Sequence, residues 1–274
     1  MSINNSAIKR IAKDVKYIIN NEHSLSLENI YYKHDEENVM KGYALIIGQK
    51  NTPYGYGYYF FEFNFPDNYP FSPPVVRYLT NDGTMRFNPN LYTNGKVCLS
   101  LLNTWSGESW TSCQTINSIL LSLSIVLCEN PLLNEPGVQE NNDVIEKYNY
   151  LVTYKNIEFS ICKIISYIQN YTIDANINTN TSTSTSTSTS TSTNINTNKD
   201  DIAIMYKFKN IIYETFKNNK TNIIEYLNVN KIKYYKFINK SCENIKFFIA
   251  MYNLSFNLEY EKLYNLVLQI NIIT

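Results

Sequence analysis

The chain has 274 residues, and its 24 basic and 24 acidic side chains leave no net charge. Zero net charge argues against the electrostatic field of a nucleic-acid-binding protein and against a polybasic membrane anchor. No apolar run approaches the roughly 20 residues of a membrane span, and the first residues are too polar for a signal peptide. We therefore expect an intracellular protein, cytoplasmic or nuclear, with neither a nucleic acid nor a membrane as partner.

The five cysteines are scattered along the chain and include no Cys-x-x-Cys pair. The chain has two histidines, His23 and His34, and with no Cys-x-x-Cys pair we expect no structural zinc site. Free thiols in a reducing compartment are the simplest interpretation. The zero charge is a sum of two unequal parts, −4 over residues 1–150 and +4 over residues 151–274.

The first part of the chain predicts a helix followed by strands. Apolar residues at helical spacing over 5–20 indicate an amphipathic helix. Four runs rich in β-branched and aromatic residues predict strands with short connectors, which favour an antiparallel meander. These runs are 29–33, 43–48, 56–65 and 75–79. Between the last two, the segment FPDNYPFSPP has too many prolines for regular structure and predicts a rigid loop.

The pattern becomes helical after residue 110. Thr111 or Ser112 is the expected N-cap of the next helix, and a further helix is predicted over 141–170. A Thr-Ser repeat within residues 172–200 has no core-forming side chain and predicts a disordered insert. Residues 201–274 predict further helices, which we expect to pack with the 141–170 helix against the first domain.

Several motifs between residues 62 and 110 resemble those of the ubiquitin-conjugating enzymes and occur in the same order. YPFSPP at 69–74 matches the family's Tyr-Pro-x-x-Pro-Pro loop, and NPN at 88–90 stands in place of its His-Pro-Asn motif. Cys98 follows Asn90 by eight positions, which is the family's spacing. FNPN, the following NGKVCLSLLNTWSG and the later NEPG are similar to a large subgroup that includes the Z-type enzymes.

The resemblance implies an α+β fold of the ubiquitin-conjugating (UBC) type. Such a fold has an N-terminal helix, a four-stranded antiparallel meander and C-terminal helices, to which this chain adds a helical extension. The predicted organisation is a UBC core domain over 1–150, an extension helix over 151–171, the low-complexity insert over 172–200 and a helical C-terminal extension over 201–274.

Cys98 is the candidate nucleophile. A thiol can carry an acyl group as a thioester that stays reactive toward an amine, as a carrier of activated ubiquitin requires. The Asn94–Gly95 turn before it predicts a shallow, partly open loop. An amide at Asn90 could stabilise the oxyanion of the tetrahedral intermediate or hold the loop that does so. Pro89 would restrict the neighbouring backbone, and we expect Asn88 to brace the loop by hydrogen bonding.

A cysteine protease is the rival interpretation of a reactive thiol. It needs a base beside the nucleophile, whereas both histidines lie in the N-terminal segment outside any catalytic motif. We expect the other cysteines to be core or incidental residues: Cys113, Cys128, Cys162 and Cys242. The candidates for orienting or desolvating an acceptor lysine are Glu108, Glu129, Asn134 and Glu135.

The resemblance also implies protein partners, namely ubiquitin, a ubiquitin-activating enzyme, protein substrates and a ubiquitin ligase. Lys9, Arg10 and Lys13 correspond to the face of the first helix that docks on the activating enzyme. Phe71 and Trp110 correspond to the loops that contact ligases. ATP is consumed by the activating enzyme, so the resemblance implies no cofactor on this chain.

The predicted function is that of a conjugating enzyme that accepts ubiquitin as a thioester on Cys98 and passes it to lysine, alone or with a ligase. Two alternatives stay open. One is a non-catalytic UBC variant that only binds ubiquitin, and the other is a conjugating enzyme for a different ubiquitin-like modifier.

Overall fold

A computed structural model shows a central four-stranded antiparallel sheet in which strands that follow one another along the chain are neighbours. The structure describes residues 5–140, 144–180, 198–241, 247–249, 252 and 254–272. The strands are β1 (Ile30–His34), β2 (Lys41–Ile47), β3 (Tyr58–Asn64) and β4 (Val75–Tyr78). Each strand bound lies within two residues of its predicted position, which confirms the meander and the α+β class.

Helices surround this sheet. They are α1 (Asn5–Asn20), α2 (Glu22–Leu27), α3 (Ile116–Val126), α4 (Val144–Lys155), α5 (Ile164–Asn180), α6 (Lys199–Tyr206), α7 (Lys209–Ser241) and α8 (Tyr260–Gln269). Short 3₁₀ helices lie at Ser100–Leu102 and Pro131–Asn134, a π-helical segment at Asn156–Lys163, and a hairpin of β5 (Phe247–Ile249) and β6 (Leu254–Phe256) precedes α8. No helix in the described parts of the chain combines the length and apolar character needed to cross a membrane.

The N-cap of α3 differs from the prediction. Thr115 caps the helix, because its hydroxyl accepts a hydrogen bond from the backbone N–H of Ser118 at 3.3 Å, and the Thr115 backbone N–H donates to the Ser118 hydroxyl at 3.3 Å. This reciprocal pair is a capping box. Thr111 and Ser112 stay in the preceding loop, where the N–H of Thr111 donates to the side chain of Gln114 at 2.8 Å.

Strand β3 is buried on both sides of the sheet. Since successive side chains of a strand point to opposite faces, Tyr59 and Phe60 face different layers. The Tyr59 hydroxyl donates to the side chain of Asn156 at 2.6 Å, whereas the Phe60 ring lies 5.8 Å from that of Phe208, between α6 and α7. The C-terminal extension therefore covers one face of the sheet, and this explains why the β3 sequence is almost continuously apolar.

Ion pairs fix where the extension sits on the sheet. Arg77 on β4 contacts Glu62 at 3.0 Å and Asp201 of α6 at 2.6 Å. Lys207 lies 3.6 Å from Asp35 at the other end of the same face. The Arg77 and Lys207 side chains are about 40% exposed. We therefore expect these pairs to fix the position of the extension on the sheet and to add little to the free energy of unfolding.

Both boundaries of the predicted insert over 172–200 differ from the structure. Helix α5 runs to Asn180, so the first residues after 171 are helical, and α6 begins at Lys199. Residues 181–197 lie outside the described residues, so their predicted disorder stays a prediction. The predicted 141–170 helix corresponds to α4, the π-helical segment and the first part of α5.

We predict that Phe208→Ala lowers the free energy of unfolding by about 3–5 kcal/mol, because Phe208 is fully buried between the extension and the sheet. Urea denaturation measures this loss. The matched control is Phe71→Ala, at a side chain that is 74% exposed, for which we expect a change within about 0.5 kcal/mol. Equal, small losses for both variants would show that the extension does not stabilise the sheet.

Candidate active site

Cys98 lies two residues before the 3₁₀ segment at 100–102, in a loop held to Asn90 by hydrogen bonds. Its backbone N–H donates to the Asn90 carbonyl oxygen at 2.9 Å. In return, Nδ2 of Asn90 donates to the Cys98 carbonyl oxygen at 2.7 Å. In this conformation the Asn90 amide therefore holds the loop, which is one of the two roles expected for it. Its Oδ1 is buried and has no hydrogen-bond partner among the described residues, a feature that in native structures calls for a functional or structural explanation.

Asn88 braces the same loop from inside the core. It is fully buried, and its Nδ2 donates to the Tyr54 hydroxyl at 3.0 Å and to the Val126 carbonyl oxygen at 2.9 Å. Its Oδ1 accepts from the Asn90 backbone N–H at 2.8 Å. The donor and the acceptor atom of this side-chain amide therefore both have hydrogen-bond partners, and the partners lie in different parts of the fold. Pro89, also buried, connects the two asparagines.

The thiol is less accessible than the sequence predicts, since Cys98 is only 2% exposed. The predicted turn does form, and Gly95 has a φ of 87°, in the left-handed region that favours glycine. After the turn, however, the chain returns along its own path, and Leu91 forms β-bridges with Asn88 and Val97. This pairing draws the segment inward. Cys98 therefore lies within the loop rather than on its surface.

The segment after Cys98 is anchored by two further contacts. The Thr104 hydroxyl donates to the Val97 carbonyl oxygen at 2.7 Å and accepts from the Leu99 N–H at 3.0 Å. Trp110 is buried, and its indole N–H donates to the Pro70 carbonyl oxygen at 2.7 Å. The indole therefore links this segment to the proline-rich loop, and the predicted contact of Trp110 with a partner stays a prediction.

Some of the predicted docking residues are exposed, whereas Arg10 also contacts other residues of its own chain. Lys9 and Lys13 are exposed on α1, and Phe71 is 74% exposed in the proline-rich loop. Arg10 differs, because its guanidinium pairs with Asp14 at 3.0 Å and donates to the Ser112 carbonyl oxygen at 2.6 Å. Arg10 thus connects α1 to the loop before α3, and its predicted place in the docking face stays a prediction.

The acidic candidates lie in different surroundings. Glu108 is exposed in the loop before Trp110, and Glu129 lines a cleft between the β2–β3 loop and α7. Nδ2 of Asn134 lies 3.5 Å from Oδ1 of Asn88, so the segment that contains Asn134 and Glu135 borders the active-site loop. The carboxylate of Glu135 accepts a hydrogen bond from the Tyr252 hydroxyl at 2.8 Å.

The remaining cysteines have different environments. Cys113 is exposed, whereas Cys162 is buried in the π-helical segment. Burial and the nearby charge of Glu158 raise the pKa of the Cys162 thiol to about 12. Burial also raises the pKa of Cys128, and Cys242 lies outside the described residues.

His34 is held by hydrogen bonds outside the active-site loop. His34 contacts the Tyr32 hydroxyl and the Val39 carbonyl oxygen, each at 3.0 Å, through its two ring nitrogens. Burial lowers the pKa of His34. The described part of the chain has no group of three or more metal-ligating side chains.

Two residues of this region were missed by the sequence analysis. Tyr54 hydrogen-bonds to Asn88, and Tyr252 hydrogen-bonds to Glu135. Both are far from the active-site motifs along the chain. With 24 tyrosines in the sequence, neither position carries a signal that distinguishes it from the others.

Comparison with known proteins gives a consistent result. The family described as ubiquitin-conjugating enzyme matches residues 10–161. The ubiquitin-conjugating enzyme E2 Z of Xenopus tropicalis is 35% identical over 164 residues, covering 59% of this chain and 51% of that protein. E2 Z of Homo sapiens is 41% identical over 131 residues, covering 47% and 37%. The probable ubiquitin-conjugating enzyme E2 25 of Arabidopsis thaliana is 48% identical over 103 residues, covering 36% and 17%. The chain thus spans about half or less of the length of these relatives.

We predict that iodoacetamide alkylates Cys113 before Cys98 and Cys162 in the native protein. Cys113 is exposed, whereas the other two are buried, and a pKa of about 12 leaves only about one Cys162 thiol in ten thousand ionised at about pH 8. Peptide mass spectrometry at successive times measures the order, and the same labelling in denaturant removes the differences due to burial. Native labelling of Cys162 as fast as that of Cys113 would contradict the packing described here.

Proposed function

Because the chain belongs to the ubiquitin-conjugating enzyme family, we propose that it accepts ubiquitin from an activating enzyme as a thioester on Cys98 and transfers it to lysine. The observation that supports this most is the pair of hydrogen bonds that joins Cys98 to Asn90. A thiol and an amide, eight positions apart, are thereby held at one place with a defined backbone.

In the charging step, the Cys98 sulfur attacks the thioester carbonyl carbon of ubiquitin on the activating enzyme. A new C–S bond forms, the bond to the activating enzyme's sulfur breaks, and the proton of the Cys98 thiol passes to solvent. No oxidation or reduction occurs. The oxyanion of the tetrahedral intermediate needs a hydrogen-bond donor. The Asn90 amide could supply it by leaving the Cys98 carbonyl oxygen, or could act by keeping the loop in place.

In the transfer step, the lysine nitrogen attacks the thioester carbonyl carbon. A C–N bond forms, the C–S bond breaks, and Cys98 leaves as a thiolate. The proton released from the amine passes to a base or to solvent. Neither His23 nor His34 lies in the active-site loop, so we assign no step to a histidine. Asn134 and Glu135 are the polar residues that border this loop from the segment after α3.

Partner recognition follows from the same proposal. Lys9 and Lys13 remain accessible for an acidic surface of the activating enzyme, and Phe71 remains accessible as an aromatic anchor for a ligase. ATP would be consumed by the activating enzyme, and this chain would supply the thiol without a cofactor. A reducing intracellular compartment keeps such a thiol free.

We predict that incubation with activating enzyme, ATP and ubiquitin gives an adduct that reductant removes. Cys98→Ser should give a reductant-resistant adduct, because an oxygen ester replaces the thioester. The matched control is Cys113→Ser, at an exposed cysteine, which should retain the reductant-sensitive adduct. Non-reducing and reducing gel electrophoresis distinguish these products.

Each other outcome of that assay identifies an alternative. Binding of ubiquitin without any adduct would indicate a non-catalytic UBC variant. An adduct with a different ubiquitin-like modifier and its own activating enzyme, but none with ubiquitin, would redirect the proposal to that modifier. The absence of an adduct with every modifier tested would exclude the enzymatic function.

We further predict that Asn90→Ala slows transfer to free lysine by about 100- to 1000-fold, the typical loss when an oxyanion donor is removed. The rate is measured in single turnover from the preformed thioester. Asn20→Ala, at an exposed position near the end of α1, is the control and should leave the rate unchanged. A rate loss of less than threefold in Asn90→Ala would show that its amide is dispensable in transfer.

A further inference from the structure

Tyr252 of the C-terminal extension contacts side chains that lie close along the chain to the candidate active-site asparagines or to the segment that borders them. Its hydroxyl donates to the carboxylate of Glu135 at 2.8 Å. Its ring lies 5.8 Å from the ring of Tyr148 and 5.8 Å from the guanidinium of Arg86. Arg86 in turn lies 3.6 Å from the ring centroid of Tyr92. One extension residue therefore contacts several separate parts of the core domain.

These contacts lie on both sides of the Asn88–Asn90 triplet. Arg86 comes two positions before the triplet, and Tyr92 comes two positions after it. The backbone at Arg86 is itself fixed, because its carbonyl oxygen accepts from the Tyr148 hydroxyl at 2.8 Å. Tyr252 thus adjoins the segment that positions the active-site loop, although it is far from that loop along the chain.

Glu135 borders the same loop from another direction. It directly follows Asn134, whose amide lies 3.5 Å from Oδ1 of Asn88. Glu135 is only partly buried, so its carboxylate can still reach a group that arrives from solvent. The other two glutamates that could orient an acceptor lysine lie elsewhere, since Glu129 lines the cleft toward α7 and Glu108 lies in an exposed loop. Glu135 is the one held by a hydrogen bond from the extension.

We infer that the C-terminal extension positions the acceptor side of the active site, with Tyr252 holding the Glu135 carboxylate toward the amine that attacks the Cys98 thioester. This inference rests on the proposed function. Tyr252 is a positioning residue, since it acts through Glu135. Glu135 attracts and orients the lysine ammonium, which loses one proton to solvent to become the attacking amine. The amine nitrogen forms the C–N bond, the C–S bond breaks with Cys98 leaving as a thiolate, and the second proton on nitrogen passes to solvent.

The chemistry of the pair suits this role. A hydrogen bond to an ionised carboxylate is stronger than one between neutral groups, so it restricts the carboxylate effectively. Burial, followed by the hydrogen bond to Glu135, raises the pKa of Tyr252, so its hydroxyl stays protonated and remains a donor. A lysine is cationic before attack, whereas hydroxylamine is largely neutral near pH 7 and needs no carboxylate to attract it. Comparing the discharge rates with lysine and with hydroxylamine therefore distinguishes a loss of lysine positioning from general damage to the loop.

The test is single-turnover discharge of the full chain charged with ubiquitin. Tyr252→Phe removes only the hydroxyl and keeps the ring. We expect normal charging by the activating enzyme, a roughly tenfold slower discharge to subsaturating free lysine, a higher half-saturating lysine concentration, and an unchanged discharge to hydroxylamine. The matched control is Tyr235→Phe, at a partly exposed tyrosine of α7 in the same extension, which should match the wild type in every assay.

A double-mutant cycle tests whether Tyr252 acts through Glu135. Glu135→Gln should slow lysine discharge, and Tyr252→Phe should add no further loss in that background. Equal discharge by Tyr252→Phe and the wild type overturns the inference and leaves the proposed function intact. Additive losses, or an equal slowing with hydroxylamine, also overturn it, because they indicate a structural role only. A wild type that forms no thioester overturns the proposed function, and the inference with it.

Discussion

The geometry of the active site depends on the hydrogen bonds of one buried amide, that of Asn88. Its donor atoms bind the Tyr54 hydroxyl and the Val126 carbonyl oxygen, and its acceptor binds the backbone N–H of Asn90. A buried amide that lost a partner would destabilise the fold by about 1–3 kcal/mol, so each of these elements is constrained to stay in place. Asn90, and through it the Cys98 loop, is positioned as a consequence.

The same loop both protects and restricts the thiol. The β-bridges around Leu91 and the hydrogen bonds with Asn90 leave Cys98 only 2% exposed. Burial shields a thiol from adventitious oxidation, since oxidation depends on exposure, and under the proposed function we expect the loop to open before acyl transfer. Thr104 and Trp110 anchor the following segment. Any opening is therefore expected near Cys98 itself rather than along the whole segment.

The C-terminal extension packs directly against the sheet of the core domain. Phe208 packs on Phe60, and Asp201 pairs with Arg77, so α6 and α7 cover a face of the sheet that would otherwise expose aromatic side chains to water. Tyr252 then brings the later part of the extension to the surroundings of the active site. A single segment of chain thus contributes to the stability of the sheet and to the environment of the proposed acceptor site.

The sequence by itself determined the meander, the amphipathic first helix and the family, because strand periodicity, helical spacing and the YPFSPP and NPN motifs are local patterns. It also identified Cys98 and Asn90 as a pair at a characteristic spacing. Only the tertiary structure decided that Thr115 caps α3, that Arg10 and Trp110 bind their own chain, and that Cys98 is buried. These outcomes depend on which distant groups meet: Arg10 with the Ser112 carbonyl, Trp110 with Pro70, Tyr252 with Glu135. Contacts across such separations leave no periodic trace in a sequence, and packing alone selects them.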